Sequence, residues 1–156
     1  MNDYEIIDDF LEYGVFMDIS DWISSNTFPW YHQPQVAYPE GKTSGFISDE
    51  MSEKDIEAVN QPLTKLQRQY NFALTHTIYE GNEIFTTAAT WQRVKPIIQS
   101  LEVKSLIRMK VNSYPKTSEL VHHKGHFDLP FKHKGGILYI NENDGVTVLD
   151  DGTVVE

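Results

Sequence analysis

The chain has 156 residues, of which 40% are hydrophobic and 12% aromatic, enough for one domain with a buried core and too apolar for a disordered segment. Its 23 acidic and 13 basic side chains leave a formal charge of −10, which argues against non-specific nucleic-acid binding, where Lys and Arg must face phosphates. With no cysteine, disulfides, thiolate nucleophiles and Cys-ligated zinc or iron–sulfur sites are excluded.

No stretch reaches the roughly 18 consecutive apolar residues of a transmembrane helix. The acidic opening MNDYEIIDDF lacks the basic-then-apolar order of a signal peptide. These features point to a cytoplasmic protein that acts on a small-molecule or protein substrate, with no nucleic-acid or membrane partner. Neither repeats nor low-complexity tracts divide the chain, so residues 1–156 read as a single domain.

In DDFLEYGVFMDISDWISS, Leu11, Val15, Ile19, Trp22 and Ile23 recur at helical spacing, and Asp8 or Asp9 can cap the helix. TFPWYHQ must leave the helix at Pro29. Residues 39–50, rich in turn formers, read as a loop or lid. Ser52 and Asp55 form a capping-box-like pair that opens a helix, which Pro62 interrupts and LTKLQRQY resumes. NFALTHTIY is β-branched and aromatic and predicts a strand. TAATWQRVKPIIQSL predicts a helix with Trp91, Val94, Ile98 and Leu101 inward.

From there the pattern turns to strands. KSLIRMKVNSY alternates, with Ile107, Met109 and Val111 on one face and Arg108 and Lys110 on the other. GGILYIN is a short apolar strand. Asp144-Gly145 and Asp151-Gly152 are tight-turn signals on either side of VTVLD. Helical and mixed sequence over 1–101 followed by strands over 102–156 predicts an α+β fold with a sandwich or barrel.

Three of the six histidines fall in HHKGHFD, residues 122–128. On a strand His126 and Asp128 would share a face, placing an imidazole nitrogen beside a carboxylate. That is two-thirds of a 2-His-1-carboxylate set, which binds Fe(II) and keeps positions open. A solvated loop with a chance H-x-D is the competing reading. His122 and His123 precede Gly125 and belong to a loop or rim. His133, between Lys132 and Lys134, reads as surface. His32 and His76 are isolated and read as hydrogen-bonded core or surface residues.

The stretch from LIRMKVNSYP through HFD, ILYIN, NDGVT and DDGT, with YEIIDDFL and FPWYHQ near the start, resembles the iron(II)/2-oxoglutarate-dependent oxygenases. It is most similar to the small prolyl-4-hydroxylase-like members found in phage genomes. The resemblance implies N-terminal helices packed on a double-stranded β-helix (jelly-roll) core. It implies Fe(II) held by His126 and Asp128 and 2-oxoglutarate as co-substrate. Tyr139 would hydrogen-bond the distal carboxylate of 2-oxoglutarate, and Tyr114 would face the cofactor from the first barrel strand. Arg108 is not assigned by the motif. The implied reaction couples decarboxylation of 2-oxoglutarate to succinate with hydroxylation of a C–H bond.

The family pattern also asks for a second histidine after the meander and, roughly ten residues beyond it, an Arg or Lys toward the 2-oxoglutarate carboxylate. No histidine follows His133 and no basic residue follows Lys134. His122 does not replace the missing ligand, since three ligands along one strand lie in a row while a facial set needs one from across the barrel. The pattern therefore predicts a core incomplete at the C-terminus, with open strand edges that favour self-association. Two functions are compatible with it. One is a dioxygenase of which this chain carries part of the site. The other is a non-catalytic binding or assembly protein on a truncated jelly roll.

Overall fold

The computed structural model describes residues 4–36, 62–123, 128–129, 131–149 and 152–155. Within them lie three helices, α1 (Tyr13–Ser24), α2 (Lys65–Gln69) and α3 (Ala88–Ser100). The strands are β1 (Tyr31–Gln33), β2 (Ala73–Glu80), β3 (Glu83–Ile84), β4 (Arg108–Ser113), β5 (Thr147–Val148) and β6 (Val154–Val155). The fold class is α+β. One sheet has the order β1-β2-β3 with β4 also paired to β2, and β5 and β6 form a separate two-stranded sheet.

The chain divides into two compact units. The first comprises Met1–Tyr31 and Thr75–Asn112, and its core is built from Leu11, Ile19, Ile23, Phe28, Ile78 and Val94. α1 starts later than the apolar spacing predicts. Asp9 takes a left-handed φ of 51°, which ends any helix there, and the cap is Glu12, whose Oε2 accepts from the Val15 N–H at 3.1 Å. Leu11 is still buried, but from the segment before the helix. At the other end the Ser25 hydroxyl donates to the Trp22 carbonyl at 2.7 Å, and Pro29 follows.

α3 begins at Thr87, whose Oγ1 accepts from the Thr90 N–H at 3.2 Å. It buries Val94 completely, half-buries Trp91 and Ile98, and leaves Leu101 49% exposed at its C-cap. Beyond Leu101 the Glu102 N–H donates to Gln99 O at 3.0 Å and the Val103 N–H to Ile98 O at 3.2 Å, a Schellman closure with Glu102 at φ 50°. Glycine is the usual residue there because a Cβ is strained in that conformation. Glu102→Gly is therefore expected to raise stability by about 0.5–1 kcal/mol. A urea midpoint that stays put or falls would show that the strain is not stored at this residue.

β2 and β3 form an antiparallel hairpin with Glu80 opposite Glu83. Its two-residue loop, Gly81-Asn82, has φ values of 59° and 67°, the requirement of a type I′ turn. The dipeptide was a visible hairpin signal that the apolar patterning did not draw attention to. On β2, His76 and Ile78 point to one face and are buried. On the other face the Thr75 hydroxyl donates to Asn112 Oδ1 at 3.1 Å, and Tyr79 stacks on Trp91 at 5.8 Å.

The second unit comprises His32–Leu74 and Ser113–Glu156, with Leu63 and Ala73 buried among its described residues. α2 resumes after Pro62 through a reciprocal capping box. The Gln67 N–H donates to Thr64 Oγ1 at 3.1 Å, and the Thr64 N–H to Gln67 Oε1 at 2.8 Å. The proposed lid at 39–50 and the Ser52–Asp55 cap lie outside the described residues. β5 and β6 pair antiparallel across a turn containing Gly152 at φ 85°. GGILYIN, expected as a strand, makes no ladder among the described residues. Leu138 and Ile140 are half-buried, while Ile137 and Tyr139 are exposed. At Asp144-Gly145 the Gly145 N–H donates to Asn143 Oδ1 at 2.9 Å, a side-chain turn rather than a hairpin closure.

Candidate functional site

Of the residues singled out above, Asp128, Tyr114 and Tyr139 are described, and His126 lies outside the described residues. All four belong to the second unit. Tyr114 is the first residue past β4. The proline after it, Pro115, holds its backbone extended. The chain then runs through the link to His122, whose carbonyl accepts from Gln67 Nε2 of α2 at 2.7 Å. This anchor brings the His123 ring to within 5.2 Å of the Tyr114 ring at an interplanar angle of 38°.

Partial burial first, with Tyr114 still 50% exposed, and the Asp128 carboxylate second push the Tyr114 hydroxyl above its ordinary value of 10.0. Both causes disfavour the phenolate, burial by removing water and Asp128 by like-charge repulsion. At neutral pH the site therefore presents a neutral phenol, able to donate or accept a hydrogen bond, beside the His123 ring. The ring contact joins the end of β4 to the residues just before the H-x-D motif, 9 apart in the chain (114 and 123), through the tie to α2.

Tyr139 is placed differently. Its hydroxyl meets Thr147 Oγ1 of β5 at 2.5 Å, and the side chain is 41% exposed. His133 is exposed, as the sequence reading has it, with Nδ1 2.7 Å from the Phe131 carbonyl. Arg108 belongs to the first unit and sits 3.9 Å from Glu80. His32 packs its ring 5.7 Å from Phe72 at the edge of an open cleft of about 460 Å³, where Arg68 is the lining cation. None of the predicted ligand or cofactor residues lines that cleft.

His76 departs most from its sequence reading. It is 4% exposed, and neither ring nitrogen makes a well-formed hydrogen bond, the Pro29 carbonyl being the acceptor that acts on it. The FPWYHQ motif supplies most of its surroundings, and only the pairing of β2 with this segment's neighbourhood makes that visible.

As a donor set, Asp128 with the histidines around it is of the nitrogen–oxygen kind that suits Fe(II). Among the described residues, no three His, Cys, Asp or Glu side chains come together to hold a metal. No helix among the described residues is long and apolar enough to cross a membrane. Set against family models, curated proteins and solved structures, the chain finds no match in any of the three.

Proposed function

We propose that the chain carries part of the site of an iron(II)/2-oxoglutarate-dependent dioxygenase, on a jelly-roll core. The observation that supports this reading best is the packing of Tyr114, just past β4, against His123, three residues before the H-x-D motif, with ring centroids 5.2 Å apart. The Asp128 carboxylate of that motif also acts on the same phenol electrostatically. In this reading His126 and Asp128 are iron ligands. Tyr114 lies beside the cofactor, and Tyr139, with its hydroxyl on Thr147, offers a donor to the distal carboxylate of 2-oxoglutarate. Bound iron and 2-oxoglutarate would supply oxygen activation for hydroxylating a C–H bond of a small-molecule or protein substrate. The protein's own part is to orient the co-substrate and hold a neutral phenol at the site.

A second reading, a non-catalytic binding or assembly protein on the same fold, is favoured by one observation. Ile137, Val148 and Val154 are each more than half exposed, an apolar surface suited to self-association.

Anaerobic titration of the purified protein with Fe(II) and 2-oxoglutarate separates the two. The dioxygenase reading expects a weak visible metal-to-ligand charge-transfer band that disappears in both His126→Ala and Asp128→Ala. A folded protein that gives no band, or a band indifferent to both substitutions, sinks that reading and leaves the binding protein.

A further inference from the structure

We propose that the first unit contains a proton-operated latch, in which protonation of His76 loosens the Trp22, Phe28, Trp30 and Tyr31 aromatic cluster from β2. The cluster is continuous. Phe28 meets Trp22 edge-on at 4.7 Å, Trp30 at 4.4 Å and His76 edge-on at 5.2 Å, and Tyr31 stacks on His76 at 5.8 Å and 16°. His76 is the imidazole, the ring that titrates nearest neutral pH, in this aromatic packing group, and it is 4% exposed.

A neutral imidazole carries one donor and one acceptor; here neither nitrogen makes a well-formed hydrogen bond, and the Pro29 carbonyl is the acceptor that acts on the ring. A buried polar atom left this way opposes folding already in the neutral form. Adding a proton places a full charge in the same enclosure. Burial accordingly pushes His76 below its ordinary value of 6.5, and the Pro29 backbone only partly opposes this. The stacked face of Tyr31 would favour a cation, but Tyr31 is itself exposed and its attraction is shared with water.

The other charged groups of the surrounding elements are engaged or turned to solvent. Asp18 of α1 holds Arg93 of α3 at 2.7 Å, and that guanidinium covers Trp22, 5.5 Å from its centroid, rather than His76. Glu80 of β2 faces Arg108 of β4 at 3.9 Å. Asp21, Glu83 and Lys110 are exposed. No carboxylate contributes to the protonation of His76.

The sign of the pH effect follows from the lowered value. Above the unfolded value, 6.5, His76 is neutral in both states and stability is full. As pH falls through that value the unfolded chain takes up a proton that the folded unit refuses, so stability is lost. The loss ends only once pH passes the folded value.

The test uses the full chain and its three tryptophans, Trp22, Trp30 and Trp91, all in the first unit. Wild type and His76→Phe are unfolded in urea at pH 7.5 and 5.5 and followed by tryptophan emission. Relative to His76→Phe, the wild-type folding constant is expected to fall across that interval, by up to about tenfold, the limit set by an unfolded value of 6.5. Only where pH falls below the folded value should the folded wild-type emission shift to the red, and that of the variant should not. An equal pH dependence in both proteins overturns the proposal. Should His76→Phe fail to fold, the His76 ring resonances of the wild type decide. A midpoint well below 6.5 supports the latch, and an ordinary midpoint overturns it.

Discussion

Ile78→Ala is expected to destabilise the protein by about 3 kcal/mol, within the range for truncating a fully buried isoleucine. Ile78 is 1% exposed on β2, a strand paired to β1, β3 and β4. Its carbonyl also accepts from the Phe85 N–H at 2.9 Å, so the backbone there cannot shift to fill a void. The cost therefore includes both the lost transfer free energy and an unrelaxed cavity. Against a typical total stability of about 5–15 kcal/mol it is large. The check is urea unfolding followed by tryptophan emission, comparing midpoints at equal slope. Ile84→Ala serves as reference, since Ile84 is 48% exposed on the adjoining strand and its loss should stay within about 0.5 kcal/mol. Equal effects of the two substitutions would mean that the core is not centred on β2.

Pro96→Ala is expected to act in the opposite direction. Pro96 lies inside α3, where it has no N–H to offer the carbonyl four residues earlier, Gln92, and where its ring crowds that carbonyl. Proline in a helix interior costs about 3 kcal/mol relative to alanine. Pro96 is half-buried, so removing its ring gives back part of that gain as lost packing. A net stabilisation of about 1–2 kcal/mol remains, which would raise the thermal midpoint by roughly 3–8 °C. An unchanged or lower midpoint would show that the ring packs well enough to offset the missing hydrogen bond.

Local signals carried much of the secondary structure. β-branched and aromatic content placed β2, alternation placed β4, and 3.6-residue spacing placed α1 and α3, because these periodicities reflect which face of an element meets water. The boundaries were less legible. Asp8 and Asp9 look like caps, but Asp9 turns left-handed and Glu12 takes the role. Several polar side chains near a helix start compete for the same N–H groups, and the path of the preceding chain selects among them. The hairpin at Gly81-Asn82 was legible in its dipeptide, yet the two-residue β3 is too short to show a period.

For the candidate site, sequence alone pointed to Asp128, because H-x-D is a local pattern whose chemistry depends only on spacing. It equally determined that the chain has no thiol, carries a net charge of −10 and lacks a histidine beyond His133. Tertiary structure alone decided that Tyr114 and His123 come together, since that depends on how α2 anchors the link through His122. Tertiary structure also decided that His76, an isolated histidine in THTIY, is buried against rings 45 and 48 positions earlier (Tyr31 and Phe28) with no well-formed hydrogen bond for either nitrogen. A residue's periodicity records which side of its own element is dry. Its protonation and partners are set by what other elements bring to that side, and no local pattern encodes that.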